Sequence, residues 1–304
     1  MPLRRGCAAR RHALKGQALS TPALGLVAGG GGLPLGLVAG GGGLPLALAG
    51  AAAGRGRAVK AVAFRGHTDP GLERAATVTW LRLGEIRPGL DAFGRAGVRE
   101  VVLAGALPKA QLLQPDALRI DSEGRYLLGR LPDRRDDSLL RALVGLLASH
   151  GLDLLPQASL APELVAGEGL LAGRAPSPAL WRDIQRGFRV AKRVAAEDIG
   201  QTVVVKEGVV LAVEAIEGTD AAIRRAAGFA AGACVVKVAA PDQDPRFDLP
   251  VLGPDTLRSA REAGLAVVAF EAGCCLVLER ERLVAEAGAA GVCVIGVKAE
   301  GWAP

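Results

Sequence analysis

Residues 201–225 read QTVVVKEGVVLAVEAIEGTDAAIRR. Its first fifteen residues, rich in Val, form a strand-like run, and EGTDAAIRR opens a helix. Gly218 permits a tight turn and Thr219 is a good N-cap. Asp220 falls in the first helical turn, where the positive end of the helix dipole favours a carboxylate. By itself Asp220 needs no role beyond starting that helix. Its neighbours add a second reading. Glu207, Glu214 and Glu217 precede it, and Arg224 and Arg225 follow one turn later. Carboxylates at a strand-to-helix junction can hold a hard cation, and arginines close by can grip phosphate.

Working outward, strands and helices alternate on both sides. ACVVKVAA (233–240) reads as a strand, and PDQDPRFDLPVLG (241–253) is a loop by its prolines. Helix 255–263, strand 265–270, a strand near 276–278, helix 279–288 and strand 291–297 complete an α/β pattern. Lys237 ends an apolar strand. An unpaired ammonium would be costly to bury there, so an anionic ligand or a carboxylate partner is expected. Upstream, PALWRDIQRGFRVAKRVAAED makes a helix from Pro178 to about Asp198, with Trp181 and Phe188 on one packing face. The Pro-, Gly- and Ala-rich segment 161–178 reads as a linker, which places one domain at 24–160 and a second at 179–304.

The first domain begins with a tandem repeat: GLVAGGGGLPL at 25–35 recurs at 36–46. Two copies do not make a solenoid. The second copy is expected to supply the first strand and glycine loop, because LPLALAGAAAG continues into a helix and AVKAVAF (58–64) gives the next strand. The opposite register stays open. From Gly40 the loop reads GGGGLP, so Pro45 stands where a dinucleotide fingerprint has its third glycine. No acid follows about 20 residues on to take a ribose. NAD binding is therefore disfavoured. Further along, REVVLAG (99–105) reads as a buried strand. The helix of 134–150 carries Asp136 and Asp137 at its start, where acids complement the dipole.

The resemblance implied by these segments is to the LpxI-type UDP-2,3-diacylglucosamine pyrophosphatases of bacterial lipid A synthesis. It rests on EGTD at 217–220, on VVVKEGVVLAVEA before it, and on the spaced K…P.Q..R.DLP..G residues from Lys237 to Gly253. It implies a Rossmann-like N-terminal domain, a second α/β domain and a ligand cleft between them. It further implies cleavage of the substrate diphosphate to lipid X and UMP with Mg²⁺ or Mn²⁺. Asp220 is then the central catalytic and metal-binding carboxylate, with Glu207 a second metal ligand and Glu214 and Lys237 catalytic. Thr219, Arg224, Arg225, Arg246 and the loop glycines Gly41, Gly42 and Gly43 would contact substrate. The family's GDD-like element is matched only in part, since Arg135 replaces its glycine. The resemblance also implies a cytoplasmic protein meeting the inner-membrane surface through its lipid substrate, with a homodimer left open. The runner-up reading is a non-catalytic nucleotide-sugar binder.

Composition narrows the alternatives. Half of the 304 residues are hydrophobic, yet aromatics are 3% and there is one Met, so Ala, Val and Leu must fill the core. Five cysteines without C-x-x-C spacing suggest neither a disulfide framework nor zinc, and Cys274–Cys275 reads as a buried strand. Three histidines without a G-x-S-x-G motif leave Ser–His hydrolysis and His-rich metal chemistry unsupported. The net charge of +6 is concentrated at the start, with no acid before Asp69. Aromatic interleaving and nucleic-acid modules are lacking, so no nucleic-acid partner is expected. Residues 1–23 read as a disordered or extended leader. The glycine tracts and prolines that follow break any run of the roughly 20 apolar residues needed to span a membrane.

Overall fold

The computed structural model describes residues 32–107, 118–244 and 246–298. The expected leader and residues 25–31 of the first glycine copy lie outside them. In the first domain β1 (Leu35–Ala39), α1 (Leu44–Gly54), β2 (Val59–Phe64), β3 (Thr77–Leu81), α2 (Arg87–Arg95) and β4 (Glu100–Ala104) follow in order. Then come α3 (Ser122–Gly129), α4 (Asp136–Ser149), β5 (Asp153–Leu154) and a helical turn, α5 (Gln157–Leu160). The strands form one parallel sheet in the order β3-β2-β1-β4-β5. This is the Rossmann-like arrangement, and its order reverses between β1 and β4. β1 lies in the second glycine copy. The close approach of the loop after β1 explains Gly40: a Cβ there would stand 2.5 Å from the Ala106 carbonyl oxygen.

The second domain has a six-stranded sheet in the order β6-β13-β11-β9-β7-β8. Its strands are β6 (Gly169–Ala172), β7 (Thr202–Lys206), β8 (Val209–Val213), β9 (Cys234–Lys237), β11 (Val267–Glu271) and β13 (Cys293–Val297). The central β9, β11 and β13 are parallel, while β6, β7 and β8 run antiparallel to their neighbours. Helix α6 (Pro178–Ala196) covers one face; α7 (Thr219–Ala226), α8 (Pro254–Glu262) and α9 (Arg280–Ala290) cover the other. Both faces being covered, β11 and β13 are buried at every residue. This is why they read as unbroken apolar runs rather than alternating ones. Each Val or Leu so buried contributes roughly 1.5–3 kcal/mol. Phe188 is buried against this sheet and Trp181 packs beside it, as the helix periodicity predicts.

Three sequence expectations change. The run 201–215 is two strands, not one: Glu207 (φ 49°) and Gly208 (φ 76°) make a two-residue hairpin turn. Buried Asp183 accepts both their N–H groups at 2.8 and 2.7 Å. The segment 161–178 contains β6, which pairs with β13, so four residues of that linker belong to the second sheet. β6 reads GLLA, without the β-branched residues that signal a strand. Cys274 and Cys275 are buried but precede the short β12 (Leu276–Val277), which pairs with β10 (Val251–Leu252). This two-stranded piece ties the domains together, because Leu276 and Leu278 enter the first domain's core beside Leu44 and Leu48. Among the described residues no helix is long and apolar enough to cross a membrane.

Two measurements test this packing. In α6, a Cβ on Gly187 would meet Val236 Cγ2 at 2.6 Å, whereas a Cβ on Gly50 in α1 meets nothing within 4 Å. Gly187→Ala should cost about 1–3 kcal/mol by overpacking, and Gly50→Ala should stabilise by about 0.5–1 kcal/mol, read from urea midpoints. Burial pushes the thiols of Cys234 and Cys275 up to about 12 and that of Cys293 to about 11. A thiol-specific disulfide reagent at pH 8, followed by peptide mass spectrometry, should leave all three unmodified until the chain is unfolded.

Candidate active site

The junction between β8 and α7 is built from the bottom up by Gly218. Its φ of 82° and ψ of 168° suit glycine alone, and they turn the chain from the end of β8 into the helix. Helix α7 therefore starts at Thr219 without a side-chain cap, leaving first-turn N–H groups pointing outward. The expected N-cap role of Thr219 passes to Gly218, and the Thr219 hydroxyl is used otherwise. It donates to Glu214 Oε1 at 2.9 Å and accepts from Lys237 Nζ at 2.7 Å. The Thr202 hydroxyl lies 3.3 Å away. A hydroxyl has one proton and two lone pairs, so these three contacts fill it. Glu214 Oε2 takes the Gln201 N–H at 3.3 Å. Lys237 is thus partnered by a hydroxyl that a carboxylate orients, and among the described residues this bond uses one of its three protons.

Beside this relay stands Asp220. Its Oδ1 is buried and accepts no hydrogen bond among the described residues. A carboxylate serving only to cap a helix would take a backbone N–H. A buried acceptor without a partner costs about 1–3 kcal/mol, so this oxygen is open to a cation or a donor beyond the described residues. Among the described residues no three His, Cys, Asp or Glu side chains gather into a metal cluster. Mg²⁺ keeps several waters and binds through one or two carboxylates, so a lone Asp220 fits it.

The other expected residues are distributed differently. Glu207 is exposed at the closed end of the β7–β8 hairpin, while Glu214 is at its open end, joined by its N–H to Thr202. Five strand residues at ~3.3 Å each separate them by roughly 16 Å. The structure therefore does not bring Glu207 to Asp220. Arg225 is spent on the junction itself, donating to the Val213 carbonyl and to Glu217, both at 2.7 Å. The Glu217 carboxyl is held below the usual carboxylate range by its own backbone N–H and then by Arg225. Arg224 is exposed and free of partners among the described residues. Arg246 lies on the segment between β9 and β10, gripped by Asp244 at 2.7–3.1 Å. That hydrogen bonding lowers the Asp244 carboxyl.

In the first domain, Gly41 bridges Ala106 at the sheet's order reversal, and Gly43 lies against Leu278 of the second domain. Gly42 (φ 84°) is open to solvent. Gly41, Gly42 and Gly43 thus occupy the ligand position typical of such sheets and face the other domain at Leu278. Asp137 is paired with Arg141 at 2.7 Å, and Arg135 reaches Asp198 of the second domain at 3.6 Å. A separate cavity of about 410 Å³, lined by Arg87, Arg95, Arg99 and His150 among others, opens at the opposite edge of the first sheet, where α2 and α4 end. Arg95 lies in the last turn of α2, whereas Arg87 begins that helix and pairs with Asp91 and Glu123.

Besides Asp183, sequence reasoning missed two buried polar groups near the site and the domain joint. Glu271, at the end of β11, pairs with Lys192 of α6 at 2.9 Å. Gln157 bonds to Leu103 within its own domain and across to Arg246 and Leu249. The first had a readable signal, since an acid closing the apolar run LAVVAFE is the same anomaly that marks Lys237. Gln157, in a Pro- and Ala-rich stretch, had none.

Residues 34–164 match the LpxI N-terminal domain and residues 167–295 the LpxI C-terminal domain. A UDP-2,3-diacylglucosamine pyrophosphatase LpxI from Caulobacter vibrioides is 35% identical over 286 residues, covering 90% of this chain and 97% of that protein. A solved biotin carboxylase complex from Campylobacter jejuni aligns at 16% identity with a TM-score of 0.22, over 64% of this chain and 41% of that one, too low to inform the fold. With both domain families matched along nearly the whole described chain, and the Asp220 junction inside the second, this chain belongs to the LpxI family.

Proposed function

We propose that this chain hydrolyses the diphosphate of UDP-2,3-diacylglucosamine, giving 2,3-diacylglucosamine 1-phosphate (lipid X) and UMP. Water adds to one phosphorus, the bridging P–O bond breaks, and the leaving phosphate takes the electron pair. The observation that carries the reading is the buried, unpartnered Asp220 Oδ1 beside the Lys237–Thr219–Glu214 relay. Negative charge builds on the phosphoryl oxygens during such a displacement and must be met by fixed donors. Lys237 would supply its remaining N–H groups, and the uncapped start of α7 supplies backbone N–H groups. Glu214 fixes the Thr219 proton and so aims Lys237. Arg224 and Arg246 would meet the outer phosphate or the uridine side, and Gly41, Gly42 and Gly43 would offer backbone approach from the first domain. Asp220 would hold Mg²⁺, or Mn²⁺ in its place. When bound, such an ion neutralises phosphate charge and activates water. Glu207 has no part in this reading.

The same reading places the protein in the cytoplasm, meeting the inner-membrane surface through its lipid substrate and without a nucleic-acid partner. A homodimer is compatible with it.

The deciding assay is UMP release from UDP-2,3-diacylglucosamine by the full chain, with Mg²⁺, with Mn²⁺ and with EDTA. Activity should require the divalent ion. Asp220→Ala should lower kcat by roughly a hundredfold to a thousandfold while UDP-sugar binding, measured by calorimetry, persists. Binding without UMP release by the folded wild-type protein under any of these metals would leave a nucleotide-sugar binder instead. Glu207→Ala should change kcat/KM less than twofold. Thr219→Val, which strands Glu214 and Lys237, should cost about 1–3 kcal/mol in urea unfolding as well as activity.

A further inference from the structure

Lys192 and Glu271 form a closed set of bonds around one backbone residue. Lys192 Nζ donates to Glu271 Oε1 at 3.0 Å, to Oε2 at 2.9 Å and to the Ala239 carbonyl at 2.7 Å, which uses all three protons. Glu271 Oε2 in turn accepts the Ala239 N–H at 2.9 Å. Glu271 is 5% exposed, and Lys192 lies 6.0 Å from the Phe188 ring centroid, so the pair is largely dry. Ala239 comes two residues after Lys237 and begins the segment that carries Gln243, Asp244 and Arg246. The far end of that segment is held from the first domain. Buried Gln157 bonds the Arg246 carbonyl and the Leu249 N–H, and Phe247 is buried in the first domain's core.

A buried ion pair is poor value as a stabiliser, because apolar residues of the same shape are often as good or better. This pair does something apolar residues would not. It binds both polar groups of the residue from which the Arg246 segment departs, on the sheet face opposite Lys237, Thr219 and Asp220. We infer that Lys192 and Glu271 are positioning residues that set the Arg246 segment over the reacting diphosphate. The inference rests on the function proposed above and adds to it a pair that does not touch substrate.

The test uses the double variant Lys192→Met/Glu271→Leu, which leaves no stranded charge and removes both anchors of Ala239. Hydrogen exchange of the peptide spanning Val238 to Leu249 should accelerate at least tenfold, with other segments unchanged. KM for UDP-2,3-diacylglucosamine should rise at least tenfold while kcat changes less than threefold. A folded double variant with wild-type KM overturns the inference, whatever the exchange rate. Should the double variant not fold, Glu271→Gln keeps the shape and loses the charge; it should raise KM at least threefold, and an unchanged KM there overturns the inference equally. Absence of UMP release by the wild-type chain would count against the proposed function instead, and unchanged exchange in the double variant would still overturn the clamp.

Discussion

A parallel strand covered by helices on both faces can carry no charge along its length, so charge is admitted only where the strand ends. That constraint arranges this molecule. β11 and β13 are buried throughout, and β9 is buried up to its last residue. Lys237 ends β9 and Glu271 ends β11, and in register they are offset by one position, Phe270 standing opposite Lys237. Successive side chains alternate faces, so Lys237 turns to α7 and Glu271 turns to α6. One end of one sheet thus presents a lysine on each side of its chemistry: Lys237 free to meet a ligand, Lys192 consumed by Glu271. The first domain obeys the same rule with glycine instead of charge, its open backbone lying where β1 gives way to α1 at the reversal of strand order.

The joint between the domains follows from this placement. Leu276 and Leu278 belong to the first domain's apolar core although the chain around them belongs to the second sheet's connections. Phe247 does the same from the other side of that core. Gln157 meets the polar demands of the crossing, donating to Leu103 and accepting from Leu249, so that the irregular backbone there is not left unsatisfied. The segment after β9 therefore spans both domains: it starts at a residue clamped by the second and ends on residues clamped by the first. Relative movement of the domains would be felt first by Asp244 and Arg246.

Much of this was legible in the sequence, and the reasons are specific. Long apolar runs closed by glycine or proline marked most of the second domain's strands and helices, because two-sided burial erases the ambiguity of alternation. Lys237 was legible because an ammonium at the end of such a run is anomalous. Glu271 carried the same anomaly. The hairpin at Glu207–Gly208 was less visible: EG is a weak turn signal beside NG or DG, and its geometry is fixed by Asp183, more than twenty residues upstream. Glu207 was grouped with Asp220 by nearness in sequence alone, and the two-residue turn holds it at the opposite end of the hairpin from Glu214. Thr219 was read as a helix cap for a related reason. Capping is a local inference, whereas the contacts that fill its hydroxyl come from β7, from Glu214 just past β8 and from β9.

Asp220 shows where local rules and function part. A carboxylate in the first turn of a helix is favoured by the dipole, so its presence alone says little. The dipole, however, is served equally by an exposed carboxylate such as Glu281 at the start of α9. Burying Oδ1 without a donor adds a desolvation cost that the helix does not require. Nothing in the surrounding relay relieves it, because Thr219 already gives its proton to Glu214 and takes one from Lys237. A chain that retains this cost beside a half-free lysine and an uncapped helix start is organised for charges that arrive with a ligand. The same arrangement explains why Thr219 rather than Lys237 is the centre of the relay. A direct Lys237–Glu214 ion pair would neutralise the ammonium within the chain, whereas an intervening hydroxyl fixes the lysine with one proton while leaving its charge available.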